Sequence, residues 1–93
     1  MTDGDEVISA LEAGCATFGG LDMLILNACI FPGGTAIAAL QTDAWRKIMQ
    51  VNLDANLILM RECHPLLKLA PRAGRVVVIG SKNVPAPGPG AAA

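Results

Sequence analysis

Charge is what this sequence lacks most. Only 16% of its 93 residues are charged while 53% are hydrophobic, and seven Lys and Arg against eight Asp and Glu leave a formal net charge of −1. Disorder needs the opposite balance, low hydrophobicity with high net charge. Without a cationic excess there is no basic face to hold a polyanion, so no nucleic-acid partner is expected. Long apolar runs are missing as well. None reaches the roughly 18 uninterrupted residues of a membrane span, and no membrane association is expected. Met1-Thr2-Asp3-Gly4-Asp5-Glu6 is acidic where a signal or transit peptide is basic, which points to a cytoplasmic protein.

Cysteine and histidine are equally sparse. Cys15, Cys29 and Cys63 are odd in number and form no CxxC pair, which speaks against a disulfide framework or a zinc knuckle. Reduced core thiols are the simpler expectation, since no cationic neighbour stands beside them to stabilise a thiolate. His64 is the only histidine, so a multi-histidine metal site is excluded and no metal is expected. A mass of 9.6 kDa leaves room for one small domain with one core.

What is present has a clear order. Asp3 can cap a helix over residues 4–18, with Glu6 at capping-box spacing, and Ile8, Leu11, Cys15 and Phe18 recur as a buried stripe. Gly19-Gly20 stops it. A strand follows over residues 22–27, where Met23 to Leu26 are all apolar, as in parallel sheets covered on both faces. After a loop broken by Pro32-Gly33-Gly34, a long helix is expected over residues 43–68, with Thr42 as N-cap and Pro65 kinking or ending it. Its stripe reads Trp45, Ile48, Met49, Asn52, Leu53, Asn56, Leu59, Met60, Cys63. Three consecutive valines make residues 75–80 a second strand. Residues 84–93 form a Pro/Gly-rich tail. Helix, strand, helix, strand is a βαβ unit, a piece of a doubly wound, Rossmann-like α/β parallel sheet in a single segment.

Function in such sheets sits at the carboxyl ends of the strands, which here are Asn27-Ala28-Cys29 and Ile79-Gly80-Ser81. Asn27 can bridge backbones or simply end the strand in a turn. Asn52 lies on the helix face that must meet the sheet, and an unpartnered buried amide costs about 1–3 kcal/mol. It therefore either holds the crossover backbone, binds water or orients something in the crevice; Asn56, four residues on, has the same choices. Ser81 has one preceding glycine and is followed by Lys82, so it lacks the setting of an acyl-transfer nucleophile and reads as a hydrogen-bonding hydroxyl. Lys82 either binds an anionic substrate or is solvated. Gly19-Gly20, Gly33-Gly34 and Gly88-Pro89-Gly90 lack phosphate-fingerprint spacing and read as turns.

Taken together these segments resemble the short-chain dehydrogenase/reductase family along nearly the whole chain. Leu24-Ile25-Leu26-Asn27-Ala28-Cys29 resembles the family's fourth strand and its Asn-Ala-Gly motif. The stretch from Trp45 to Leu53 resembles the helix with the family's catalytic Asn, and Gly74 to Ser81 its fifth strand and catalytic Ser. The resemblance implies an NAD(P)-dependent oxidoreductase acting on a small-molecule alcohol or carbonyl. It gives Ser81 the task of binding the substrate oxygen and Asn52 that of keeping a relay water. Asn27, Ala28 and Cys29 fall at the cofactor. It also implies a homo-oligomer, through the 43–68 helix or through strand edges.

Three departures matter. Cys29 stands where the motif has glycine, the chain has no tyrosine and hence no Tyr-x-x-x-Lys, and the glycine-rich first turn is absent. The expectation is the central segment of a dehydrogenase that, alone, turns over no substrate and binds NAD or NADP weakly or not at all. The alternative is a truncated, non-catalytic paralogue acting as a subunit-interaction module. A receiver-like or flavin-binding domain is the weaker third, for want of clustered acids or a phosphate loop.

Overall fold

The computed structural model describes residues 3–83, 85–86 and 88–91. Helix α1 (Gly4–Phe18) starts where the Asp3 carboxylate accepts the Asp5 N–H at 2.9 Å. It stops at Gly19, whose φ of 90° only glycine adopts freely and whose N–H closes on the Cys15 carbonyl. The buried row is not the expected Ile8, Leu11, Cys15, Phe18. Val7 is buried, with Leu11, Gly14 and Cys15 half-buried, while Ile8 is exposed and Phe18 is 84% exposed. α1 packs against one neighbour, so only a narrow row is covered and the residues beside it stay in water.

Strand β1 (Met23–Leu26) pairs in parallel with β2 (Arg75–Val78), Met23 opposite Arg75 and Leu26 opposite Val78. The connection is helical but is not the one uninterrupted helix expected over 43–68. It runs as α2 (Thr42–Met49), a wider π turn (Gln50–Asp54) and α3 (Ala55–Lys68). Thr42 is the first helical residue rather than the cap; Gln41 takes that place, without a side-chain bond. Pro65 does not end the helix. It removes a single N–H, and Cys63 and Leu67, buried on either side of it, hold α3 together through Lys68.

The buried stripe of the crossover matches the expected one only in part. Ile48, Ala55, Cys63 and Leu67 are buried, whereas Trp45, Leu53 and Met60 are on the exposed side. α3 is the centre of the core, packed against α1 on one side and β1 on the other, where Leu26 is buried. Burial pushes the Cys63 thiol above its ordinary 9.0, with Cys15 and Glu62 nearby adding to the rise.

Between α3 and β2 the chain turns sharply through Ala73 at φ 65°. Gly74 is then required by contact: a Cβ there would lie 2.5 Å from the Leu67 Cβ. The strands are not buried on both faces as their composition suggested. Registered partners in a parallel pair point the same way, so Ile25 and Val77 share the face away from α3, and both are exposed. Among the described residues no second helical layer covers that face. The accessible surface is 6828 Å², about a third more than the ~5,100 Å² of a self-contained monomer of this mass.

Candidate functional site

A crevice of about 490 Å³ opens at the carboxyl ends of the two strands. Asn27, Ala28 and Cys29 leave β1 on one side, Ser81 leaves β2 on the other, and Asn52 and Asn56 rise from the helical crossover. All five residues singled out from the sequence as site candidates therefore meet at one rim. Among the described residues no Asp, Glu, Lys or Arg lines it, so its field comes from amide and hydroxyl dipoles. Lys82 is exposed and is not part of the lining.

Asn52 has a definite partner. Its Oδ1 accepts the Ile30 N–H at 2.8 Å and its Nδ2 donates to the Ile30 carbonyl at 3.0 Å. Of the roles open to it, the amide takes the first: it grips both polar groups of one loop residue, 22 positions away in sequence. It can do so because it sits in the π turn, which carries its side chain toward the strand ends. Turns of this kind recur at functional sites. Asn56 Nδ2 in turn donates to the Asn52 main-chain carbonyl at 3.0 Å.

Ser81 is held too. Its Oγ accepts the Asn83 N–H at 3.1 Å. An oxygen that accepts there still has its own proton to give, and accepting polarises the hydroxyl toward donation. Asn27 and Cys29 are exposed at the mouth, and among the described residues the Asn27 amide makes no hydrogen bond. Asn83 and Ile30 were not anticipated from sequence. Asn83 is legible only as the second residue after a serine, the spacing of a hydroxyl-to-backbone turn, and Ile30 contributes only its backbone, which no residue type announces.

The Pro/Gly-rich stretch returns to this rim. Thr35 N–H donates to the Gly90 carbonyl at 3.3 Å, Thr35 and Ala91 form an isolated parallel bridge, and Ala91 lines the crevice. The rest of that expected tail, Val84, Pro87, Ala92 and Ala93, lies outside the described residues. Among the described residues no group of three or more His, Cys, Asp or Glu is arranged to hold a metal ion, and no helix is long and apolar enough to cross a membrane.

Comparison with known proteins gives the family and the fold. The family model described as short chain dehydrogenase matches residues 1–93. Among curated proteins, a trans-4-hydroxycyclohexanecarboxylate dehydrogenase of Sinomonas cyclohexanicum is 33% identical over 81 residues, 87% of this chain and 30% of that protein. A short chain dehydrogenase/reductase of Colletotrichum higginsianum is 30% identical over 82 residues, 87% of this chain and 31% of that protein. Among solved structures, carveol dehydrogenase from Mycobacterium avium in complex with NAD superimposes with a TM-score of 0.87 at 21% identity, over 97% of this chain and 32% of that one. The KRED1-Pglu enzyme reaches 0.90 at 23% identity, over 98% and 37%. At those identities the structures establish the fold alone. The chain spans about 30% of the length of the curated relatives it matches.

Proposed function

The chain belongs to the short-chain dehydrogenase family, and from that premise we propose that it is the central segment of an NAD(P)-dependent oxidoreductase interconverting an alcohol and a carbonyl. One observation carries the proposal: Asn52 and Ser81, from different elements, line the same crevice at the ends of two parallel strands. The Ser81 hydroxyl, its Oγ occupied by the Asn83 N–H, donates to the substrate oxygen. Asn52 holds the loop at Ile30 that shapes the crevice wall, and Asn27, Ala28 and Cys29 are the residues that would meet the cofactor.

The residues fit one end of such a cofactor. Amides and a hydroxyl suit the neutral nicotinamide and its ribose, whereas a pyrophosphate wants a glycine-rich turn at a helix N-terminus or a cation, and the lining has neither. When bound, the nicotinamide supplies or takes the hydride. These 93 residues provide the hydroxyl that holds the oxygen but no phenol to pass its proton, since tyrosine is absent. The isolated chain is accordingly proposed to bind NADH or NADPH with a dissociation constant above about 1 mM, near −4 kcal/mol, and to catalyse no turnover. Fluorescence titration with both cofactors, followed by assay against simple ketones and aldehydes, tests this. Saturable micromolar binding or enzyme-level cofactor oxidation refutes it.

A second reading, the non-catalytic interaction module, is favoured by the surface. Leu53, Leu57 and Met60, at four- and three-residue steps, form an exposed row on the helical crossover. A homo-oligomer through that row suits either reading. Light scattering on the wild-type chain and on Leu57→Lys checks it: a dimer in the first and a monomer in the second is expected, and two identical masses would eliminate the row as the interface.

A further inference from the structure

Asn52 is bound at both ends. Its side-chain amide is spent on Ile30, and its main-chain oxygen accepts Asn56 Nδ2 at 3.0 Å. That second bond sits at a seam. The Ala55 N–H reaches back five residues to the Gln50 carbonyl, and from Ala55 onward the chain is regular α-helix. Asn56 is the second residue of that helix, half-buried between Ala55 and the crevice. An amide so placed destabilises the fold unless it is bonded, and the Asn52 carbonyl is the partner it has.

We infer that Asn56 is a positioning residue for Asn52. By tying the Asn52 carbonyl to the first turn of α3, it sets the pitch of the π turn, and so the direction in which the Asn52 amide leaves the helix. That direction decides whether Oδ1 and Nδ2 meet the N–H and carbonyl of Ile30 together or one at a time. Asn56, Asn52 and Ile30 thus form one chain of bonds from the helical crossover to the crevice wall. Its importance for catalysis rests on the function proposed above, but the chain of bonds exists without any cofactor.

The test is amide hydrogen exchange by NMR on the 93-residue chain at pH 7, with Asn56→Asp, which keeps the shape and loses the donor, and Asn56→Gln, which keeps a donor. Ile30 is the reporter; Arg75 and Ile79, whose N–H groups bind the Asp22 and Leu26 carbonyls across the sheet, are internal references. The Asn56→Asp change is expected to speed exchange at Ile30 about tenfold while the reference amides change less than about twofold. Asn56→Gln is expected to recover part of the protection. In the wild-type chain a through-hydrogen-bond coupling should connect Asn56 Nδ2 with the Asn52 carbonyl carbon, and Asn56→Asp should abolish it. Ile30 exchange that stays unchanged, or that rises in step with Arg75 and Ile79, overturns the inference by making Asn56 inert or a general packing residue. Neither result depends on NADH, so failure here and failure of the oxidoreductase proposal are separately visible.

Discussion

Replacing Asn52 with leucine removes two hydrogen bonds to a single peptide unit, at 2.8 and 3.0 Å. Each contributes about 0.5–1.5 kcal/mol net, and a buried group left unpaired costs up to about 3 kcal/mol more. Ile30 is only half-buried, so water recovers much of that second penalty, and leucine's extra apolar burial offsets some of the first. A loss of about 2–3 kcal/mol results. Ordinary domains carry about 0.05–0.15 kcal/mol per residue, roughly 5 kcal/mol at the lower bound for a chain this length. The wide exposure of this fold places it at that bound, so Asn52→Leu should remove about half of the total. Urea unfolding followed by the fluorescence of Trp45 reads this directly; with a slope of about 1–1.5 kcal/mol/M the midpoint should fall by roughly 2 M.

Asn52→Asp adds a sign to the same prediction. An ionised carboxylate facing the Ile30 carbonyl is repelled, while the protonated acid restores a donor, so folding raises the pKa of the introduced carboxyl. A group raised in this way favours the fold below its unfolded pKa, near 4, and loses that contribution as pH rises through the folded value. The aspartate variant should therefore lie closer to wild type at pH 4 than at pH 7. An Asn52→Leu midpoint within about 0.3 M of wild type, or an aspartate variant relatively stronger at neutral pH, would show that the grip on Ile30 contributes little to the fold.

Two further perturbations bear on the fold. Gly74→Ala drives a Cβ to 2.5 Å from the Leu67 Cβ and 2.6 Å from its carbonyl oxygen; backbone on one side leaves little to give, and a loss of about 1–3 kcal/mol is expected in urea unfolding, whereas Gly80→Ala, with nothing within 4 Å, should be far milder. Among the thiols, exposed Cys29 should react with iodoacetamide well before Cys63, which is fully buried and whose pKa is raised first by burial, then by Cys15 and Glu62. The Cys63 contribution to stability is whole below its unfolded pKa near 8.5–9 and fades as pH climbs through its higher folded value; mass mapping after brief labelling at pH 8 that finds Cys63 modified first would contradict that placement.

The helix–strand–helix–strand order was legible because its signals are local. A capped amphipathic start, an unbroken apolar run and a valine triplet each name their element without help from elsewhere. The convergence of Asn27, Asn52 and Ser81 followed from that order, because parallel strands put their carboxyl ends on one side. What stayed hidden depends on partners. Gln50-Val51-Asn52-Leu53-Asp54 is ordinary helical composition, and only the bond from Asn52 to Ile30 distinguishes its geometry. Phe18, Ile25 and Val77 look like core residues, but burial is a property of what packs against them, and among the described residues no element covers them enough to bury them. The same ambiguity covers Trp45 and Met60: an apolar row on a helix marks a face, not which neighbour occupies it.

The two loops that border the crevice are fastened to one another twice. Ile79 N–H holds the Leu26 carbonyl at 3.0 Å where the strands end, and Thr35 N–H holds the Gly90 carbonyl farther out. A clasp at each end turns two separate flaps into a frame. The distance between the Asn27 side and the Ser81 side is then a shared coordinate: neither lip shifts far without straining a bond on the other. At the outer clasp the tolerance is smallest, because Gly34 and Gly90 approach so closely that a Cβ on Gly90 would lie 2.8 Å from the Gly34 Cα. A single methyl group at that spot would force the two backbones of the outer clasp apart.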